Sequence, residues 1–244
     1  MPPFEVLLPL GAIGLYLFDS ALLLYSNELL FLRRARGWIA GGHSSLLLAG
    51  RRVYLPNPFT PGTPQFRVRW SEADTRQERE SGADLEEFFA ALRPLQYLVG
   101  VLLAILVALP VELAVFGTGV ELLVLMACFY AVILASLVHI FLRRRALSLS
   151  RKAFLSVAFD ALACAPFAIN LVRKLAQRRS LAGNPIEFAR ETFDPGSFAR
   201  LIHAVARRVS EEQRREYGQT PRWAVLEAFS RRLDALSGRR LDDP

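Results

Sequence analysis

Histidine, cysteine and lysine are scarce in this chain of 244 residues, which contains only three His and two Cys. The cysteines, Cys128 and Cys164, form no CxxC pair and no zinc spacing, so we expect two small hydrophobic core residues. The histidines are scattered and do not make a metal site. GxSxG, HExxH, P-loop and GxGxxG motifs are absent from the sequence. The sequence therefore predicts no metal, no cofactor and no catalytic residues, and it disfavours an enzyme.

Basic residues are absent from two long stretches, residues 4–32 and 94–142. The chain is 52% hydrophobic, with a mean hydropathy of +0.27. A membrane-spanning helix needs about 20 mostly apolar residues. The first stretch fits one such helix, and the second fits two that are joined by a short turn at residues 116–119.

The fold class that follows is a mainly α membrane protein with three transmembrane helices, over about 4–32, 95–116 and 119–142. A fourth apolar stretch, residues 153–172, has basic residues on both sides, so crossing the membrane would carry charges with it. It is predicted as a membrane-associated helix, either in-plane or re-entrant. The predicted segments are 1–36 (first helix), 37–93 (β-rich insert and charged linker), 94–145 (transmembrane hairpin), 146–180 (membrane-associated helix) and 181–244 (helical tail).

The two polar segments carry local signals of their own. Short β-rich runs at 45–48, 51–55 and 65–70, with a turn at Ala49-Gly50, predict a small cytoplasmic β-meander. Asp194-Pro195 and Thr220-Pro221 are typical helix starts, and they predict a C-terminal helical hairpin.

The formal charge of +7 fits a protein whose basic residues gather on the cytoplasmic side of a membrane. Arginines follow the first helix and flank the 94–142 hairpin, which predicts an external N-terminus and a cytoplasmic C-terminus. Arginine outnumbers lysine 28 to 2, as in GC-rich bacterial genomes, so the location predicted is a bacterial inner membrane. Nucleic acid is not an expected partner, because acidic residues are mixed among the basic ones.

The candidate site is a polar stripe on the predicted first helix, formed by Tyr16, Asp19, Ser20 and Asn27. A charged side chain at the bilayer centre costs about 2.5–3.5 kcal/mol on insertion scales. Asp19 must therefore face protein, water or a partner, or become protonated. His139, near the cytoplasmic end of the third predicted helix, would join the stripe if these helices touch. Two interpretations stay open: a buried carboxyl that hydrogen-bonds a neighbouring helix, and a proton or cation relay.

A proline-rich loop is the most unusual string in the soluble part of the chain. It contains Pro56, Asn57, Pro58, Phe59 and Thr60. Prolines fix such a connection as an ordered loop that cannot join the centre of a sheet. The loop is either a docking surface for a partner or a plain structural turn.

Three functional hypotheses follow. The first is an integral membrane accessory, scaffold or assembly protein without catalytic activity, whose partners are the lipid bilayer and a protein bound through helix 1, or a second copy. The alternative is a homo-oligomeric transporter or proton- or cation-conducting protein that uses the polar stripe. A membrane-bound enzyme is third, and it would need Asp19, Asp160 and His139 to converge.

Overall fold

The computed structural model describes residues 4–34, 37–42, 46–71, 81–117, 119–181, 183–216 and 220–237. Within these ranges the chain is mainly helical and has two three-stranded sheets. The helices are α1 (Phe4–Ser20), α2 (Gly82–Phe116), α3 (Val120–Leu142), α4 (Arg151–Ala163), a 3₁₀ helix (Ala165–Asn170), α5 (Leu171–Arg178), α6 (Pro185–Thr192), α7 (Pro195–Arg215) and α8 (Pro221–Ser237). The strands are β1 (Leu22–Leu24), β2 (Glu28–Arg34), β3 (Gly37–Gly41), β4 (Leu47–Leu48), β5 (Arg51–Tyr54) and β6 (Gln65–Arg69).

The chain forms two compact units that interleave along the sequence. The helical unit consists of residues 1–21, 55–65 and 81–179, and the mixed unit consists of residues 22–54, 66–80 and 180–244. The helical unit holds α1 to α5. The mixed unit holds both sheets and α6 to α8.

The first helix is shorter than predicted. It ends at Ser20, and residues 22–32, which the sequence assigned to the same helix, form strand β1, a turn at Tyr25–Asn27 and most of strand β2. The prediction was wrong because β2 is buried on both faces from Glu28 to Leu32. A strand buried on both faces reads as a continuous apolar run, and periodicity alone does not distinguish that from a helix.

Helices α2 and α3 form the predicted antiparallel pair, but α2 starts 13 residues before residue 95. It is one helix of 35 residues, with Pro94 and Pro110 inside it. Leu85, Phe88 and Leu92 are buried at helical spacing in the first, amphipathic turns of α2. These turns and the apolar part that follows therefore form one continuous helix. Two described helices, α2 and α3, are long and apolar enough to cross a membrane, whereas the sequence predicted three. The predicted helix that falls short of this length is α1, because it ends after 17 residues.

Residues 151–178 fold as a helical hairpin. Helix α4 stops at Cys164, whose extended backbone lies between α4 and the 3₁₀ helix, and Pro166 follows it. At the other end, Arg178 Nη1 donates to the carbonyl of Ala153 at 3.2 Å. The two ends of the segment therefore meet. Residues 153–172 therefore do not form the single helix that the sequence predicted, since the chain breaks at Cys164.

The predicted strands of the insert exist, but they do not form one meander. Ala49 and Gly50 have φ of 49° and 74°, as a two-residue hairpin turn between β4 and β5 requires. The strand orders are β1-β5-β4 and β3-β2-β6. Strands β4 and β5 of the insert belong to the same sheet as β1, whereas β6 belongs to the same sheet as β2. The sequence had assigned β1 and β2 to the first helix.

The helical tail matches its prediction, with one addition. Helices α7 and α8 begin at Pro195 and Pro221, and the side chain of Asp194 caps α7 by accepting from Ser197 N at 2.9 Å. The sequence reading missed α6, although Asn184-Pro185 carries the same start signal. Aromatic contacts join the β3-β2-β6 sheet to α6, since Trp38 of β3 packs edge-on against Phe188 of α6 with ring centroids 5.2 Å apart.

Candidate functional site

Three residues of the predicted stripe lie together at the C-terminal end of α1. Tyr16, Asp19 and Ser20 follow the i, i+3, i+4 spacing that puts side chains on one helical face. Tyr16 and Ser20 are buried, and Ser20 Oγ donates to the carbonyl of Tyr16 at 2.8 Å. This end of α1 is thus a polar surface that packs inside the helical unit.

The residues that meet this surface come from the hairpin of residues 151–178. Asn170 ends the 3₁₀ helix, and Arg173 and Lys174 lie in the first turn of α5. The amide Nδ2 of Asn170 donates to Asp19 Oδ2 at 2.9 Å. The Arg173 cluster is defined here as these residues: Tyr16, Asp19, Ser20, Asn170, Arg173 and Lys174.

Arg173 is at the centre of the Arg173 cluster, and only 1% of it is exposed. Its Nη1 donates to Asn170 Oδ1 at 2.9 Å and to Ser20 Oγ at 3.1 Å. Its Nη2 donates to the carbonyls of Asn57 and Thr60, at 2.6 and 3.1 Å. A planar guanidinium with donors in a fixed fork suits such a set of acceptors, whereas a lysine ammonium does not. Arg173 therefore joins α1, α5 and the proline-rich loop.

The proline-rich loop is held through its backbone. The hydroxyl of Tyr16 donates to the carbonyl of Pro58, and Gln96 Nε2 of α2 donates to the carbonyl of Gly62 at 2.9 Å. A Cβ at Gly62 would lie 3.2 Å from the backbone oxygen of Gln96. The close approach of the loop to α2 thus favours glycine there.

The predicted docking residues have divided roles in this loop. Carbonyls of Asn57, Pro58 and Thr60 accept hydrogen bonds from the Arg173 cluster, and Pro56 is buried. Phe59 is 78% exposed, and Asn57 Oδ1 accepts from its backbone N–H at 3.0 Å. The loop has a structural role on its backbone side. The docking hypothesis stays a prediction that rests on the exposed ring of Phe59.

Asp19 has a cationic partner. Lys174 Nζ lies 2.9 Å from Asp19 Oδ1, with side-chain exposures of 18% and 13%. The ammonium also lies 4.7 Å from the ring centroid of Phe167, a cation–π contact. The sequence reading found no basic partner for this carboxylate, because Lys174 lies 155 positions away and beyond an apolar segment. No pattern in a single sequence pairs the two.

The remaining stripe residues lie elsewhere. Asn27 is on the β1–β2 turn of the mixed unit, where its Nδ2 donates to the carbonyl of Trp70 at 3.4 Å. His139 belongs to α3, and its Nε2 lies 2.9 Å from the carbonyl of Ala91 on α2. Because a carbonyl only accepts, Nε2 carries the proton. His139 therefore joins the two long helices, and it does not contribute to the Arg173 cluster.

The mixed unit has its own buried guanidinium, Arg208 of α7, which is 2% exposed. Its donors reach the carbonyls of Ser26 (at 3.2 Å), Glu28 and Gly42. Burial, together with the nearby charge of Arg52, lowers the pKa of Arg208 to about 10, although the carboxylate of Glu211 acts in the opposite direction. Arg208 thus stays charged at neutral pH and fastens α7 to the sheet that contains β2.

Glu28 is the buried carboxylate of the mixed unit, with 3% of its side chain exposed. Its oxygens accept from both Arg67 and Arg69 of β6 and from the backbone N–H of Tyr25. Burial by itself raises the pKa of Glu28, but these hydrogen bonds and the charge of Arg67 outweigh it, and the net pKa is lowered. Glu28 therefore fixes strand β6 next to the β1–β2 turn as an ion.

Each unit contains a cavity lined by described residues. One, of about 440 Å³, is in the helical unit and is lined by apolar side chains of α1, α2, α3 and by Ala165 and Pro166. The other, of about 490 Å³, is an open cleft in the mixed unit, at Tyr25, Trp70 and the start of α8. Among the described residues, no group of three or more His, Cys, Asp or Glu side chains is placed to hold a metal ion.

Chemically, the Arg173 cluster contains one carboxylate and two cations. The carboxylate is hydrogen-bonded and ion-paired, and the central cation has four oxygen acceptors. Such a hydrogen-bonded and ion-paired set rigidifies the elements that it joins. Comparison with protein families, with curated proteins and with solved structures found no match to this chain.

Proposed function

We propose that this protein is an integral protein of the bacterial inner membrane that acts as an accessory, scaffold or assembly protein without catalytic activity of its own. On this proposal, the helical unit is embedded in the membrane and the mixed unit is cytoplasmic. Its N-terminus lies outside, and its partners are the bilayer and either another protein or a second copy.

The observation that carries the membrane part is the exposure of α2 and α3. Only 17% and 28% of their most apolar stretches is buried within the chain. A core helix of a water-soluble protein is buried on its apolar side, and a helix that is apolar all round needs an apolar environment. The exposed large side chains include Val101, Val107, Val111 and Val115 of α2 and Leu123, Val124, Leu134 and Val138 of α3. Lipid is the environment that suits this surface.

The distribution of basic residues supports the orientation. Arg93 precedes the apolar part of α2, and Arg143, Arg144 and Arg145 follow α3. The turn at the other end of this helix pair has no basic residue. By the positive-inside rule, the arginine end is cytoplasmic.

The hairpin of residues 151–178 supports a cytoplasmic C-terminus. Since Arg178 returns to Ala153, a segment that enters the membrane from the arginine end also leaves there. Arg179 fits this arrangement, because its guanidinium lies 4.7 Å from the ring centroid of Phe88, in the amphipathic start of α2. The proposed form of this segment is therefore re-entrant.

Helix α1 is proposed as a third crossing. Its 17 residues give a length of about 26 Å, which is at the short end of the range for a spanning helix. Leu15 and Phe18 are 45% and 77% exposed. They give α1 an apolar face that is not covered within the chain, and we propose this face as the contact for a partner helix.

The contacts of Asp19 favour a scaffold over the transporter alternative. A relay carboxylate must exchange protons or cations with a path, but Asp19 is ion-paired to Lys174 and hydrogen-bonded to Asn170. These contacts fix the position of the carboxylate and leave it no free path to a proton or cation route. The proposed role of the Arg173 cluster is to hold α1, the re-entrant hairpin and the proline-rich loop in one arrangement.

The test is purification of the native protein in a mild detergent after cross-linking in cells. We expect another membrane protein or a second copy to be cross-linked to it, with contacts at Leu15 or Phe18. A glutamate at either position should weaken the complex, whereas Val225→Glu, an exposed apolar position of α8, should not. Recovery of only a lone monomer, with or without cross-linker, would contradict the scaffold proposal.

A further inference from the structure

The three-stranded sheet β1-β5-β4 has one face that is apolar and exposed. Registers Leu24↔Arg52 and Leu47↔Arg52 put these three residues on one face, where Leu24 and Arg52 are buried and Leu47, on the edge strand, is 48% exposed. Because side chains alternate along a strand, the opposite, outer face carries Leu23, Leu46, Leu48 and Val53, with Arg51 on the same face at the start of β5. The four apolar residues are called the leucine face.

The leucine face spans all three strands. Leu23, Leu46 and Leu48 are 38%, 60% and 59% exposed, and Val53 is half-buried among them. The backbone N–H of Val53 donates to the carbonyl of Leu46 at 2.9 Å, which extends the pairing of β4 and β5 by one residue. Exposed side chains on adjacent strands form one contiguous surface, and such a surface marks an interaction site.

The rim of the leucine face combines an aromatic ring with a positive charge. Tyr25 continues β1 on the same face, and the guanidinium of Arg51 lies 4.4 Å from its ring centroid. Arg51 Nη2 also donates to the hydroxyl of Tyr25 at 2.8 Å. Tyrosine and arginine are characteristic of the membrane–water interface, where tyrosine lies at headgroup depth and arginine binds anionic lipids.

We propose that the leucine face binds the cytoplasmic surface of the bilayer, with its leucines at the boundary between headgroups and acyl chains and Arg51 on an anionic headgroup. This inference rests on the membrane location proposed above. Residue 21 alone connects the end of α1 to Leu22 of β1, so the chain itself tethers the sheet to that helix.

This tether is the reason to choose lipid over another protein. The end of α1 lies at the cytoplasmic surface in the proposed orientation, so the local concentration of lipid around the sheet is fixed by the chain itself. A basic and aromatic rim around an aliphatic centre also matches an anionic bilayer surface better than it matches an apolar protein groove.

The test uses the full-length protein in liposomes of phosphatidylcholine and phosphatidylglycerol, with Cys128 and Cys164 replaced by serine. A nitroxide at Leu48→Cys reports its access to dissolved oxygen, which concentrates in the bilayer, and to a water-soluble nickel complex. We expect a severalfold higher ratio of oxygen to nickel access at Leu48 than at the control His203→Cys, which is exposed on α7. The ratio should fall when the liposomes contain only phosphatidylcholine.

Two results would overturn the inference. One is a ratio at Leu48 equal to that at His203. The other is protection of Leu48 from nickel that disappears when the protein is diluted among liposomes, because that would identify a second copy as the occupant. A nitroxide at Val107→Cys on α2 is measured in parallel. Water access at Val107 would contradict the membrane location itself, whereas lipid access at Val107 with water access at Leu48 would contradict only the leucine-face inference.

Discussion

The ammonium of Lys174 lies 2.9 Å from a carboxylate oxygen of Asp19. The two residues are 155 positions apart, and their contact joins the end of α1 to the first turn of α5. The pair is mostly buried, and Asn170 also donates to the carboxylate. Asp19 in this setting holds the two helices together.

Replacing Asp19 by asparagine should leave proton and cation flux in proteoliposomes unchanged, because the account gives this carboxylate no part in conduction. The free energy of unfolding should fall by about 1 kcal/mol, as is typical of an ion pair with some solvent access. Lys174→Gln should cost a similar amount, and the double variant should cost less than the sum of both. Loss of flux in a variant that keeps its thermal stability would support a relay instead.

Replacing Arg173 should affect stability far more. Arg173→Ala leaves the carbonyls of Asn57 and Thr60 without their charged donor, and loss of one member of a buried ionic network costs roughly 3–5 kcal/mol. Arg173→Lys keeps the positive charge but lacks the paired Nη1 and Nη2 donors, so we expect a loss of stability between that of Arg173→Ala and none. Thermal unfolding in detergent measures both, and Arg145→Ala, an exposed arginine, is the matched control. Equal stability of the Arg173→Ala and Arg145→Ala variants would refute the role of the cluster.

The mixed unit should lose stability in acid through Glu28. Its pKa in the folded state is lowered, so its contribution is complete above the unfolded-state pKa of about 4.3 and disappears as pH falls through that value toward the folded pKa. All three tryptophans, Trp38, Trp70 and Trp223, belong to this unit, so intrinsic fluorescence reports its unfolding. Glu28→Gln should be less stable at pH 7 and should show a weaker acid transition. An unchanged transition in that variant would exclude Glu28 as its source.

The sequence predicted those elements whose cause is local. Prolines and capping residues mark the starts of α7 and α8, and long runs without charge mark α2 and α3. It did not predict the end of α1, because β2 is buried on both faces and its leucines read as a helix. It also did not predict that Asp19 meets Lys174 or that Arg173 meets Asn57. Such pairs depend on how distant segments pack, and a single sequence carries no signal of them.

The central claim is that α2 and α3 cross the membrane and that residues 151–178 enter and leave it on the cytoplasmic side. The most direct measurement is labelling of single cysteines in spheroplasts with an impermeant maleimide, before and after lysis. Cysteines replace Val120, Arg145 and Leu181 in turn, in a protein whose own cysteines are serine. The account predicts labelling of Val120→Cys in intact spheroplasts, and of Arg145→Cys and Leu181→Cys only after lysis. Labelling of Leu181→Cys from outside, while Arg145→Cys stays protected, would contradict it.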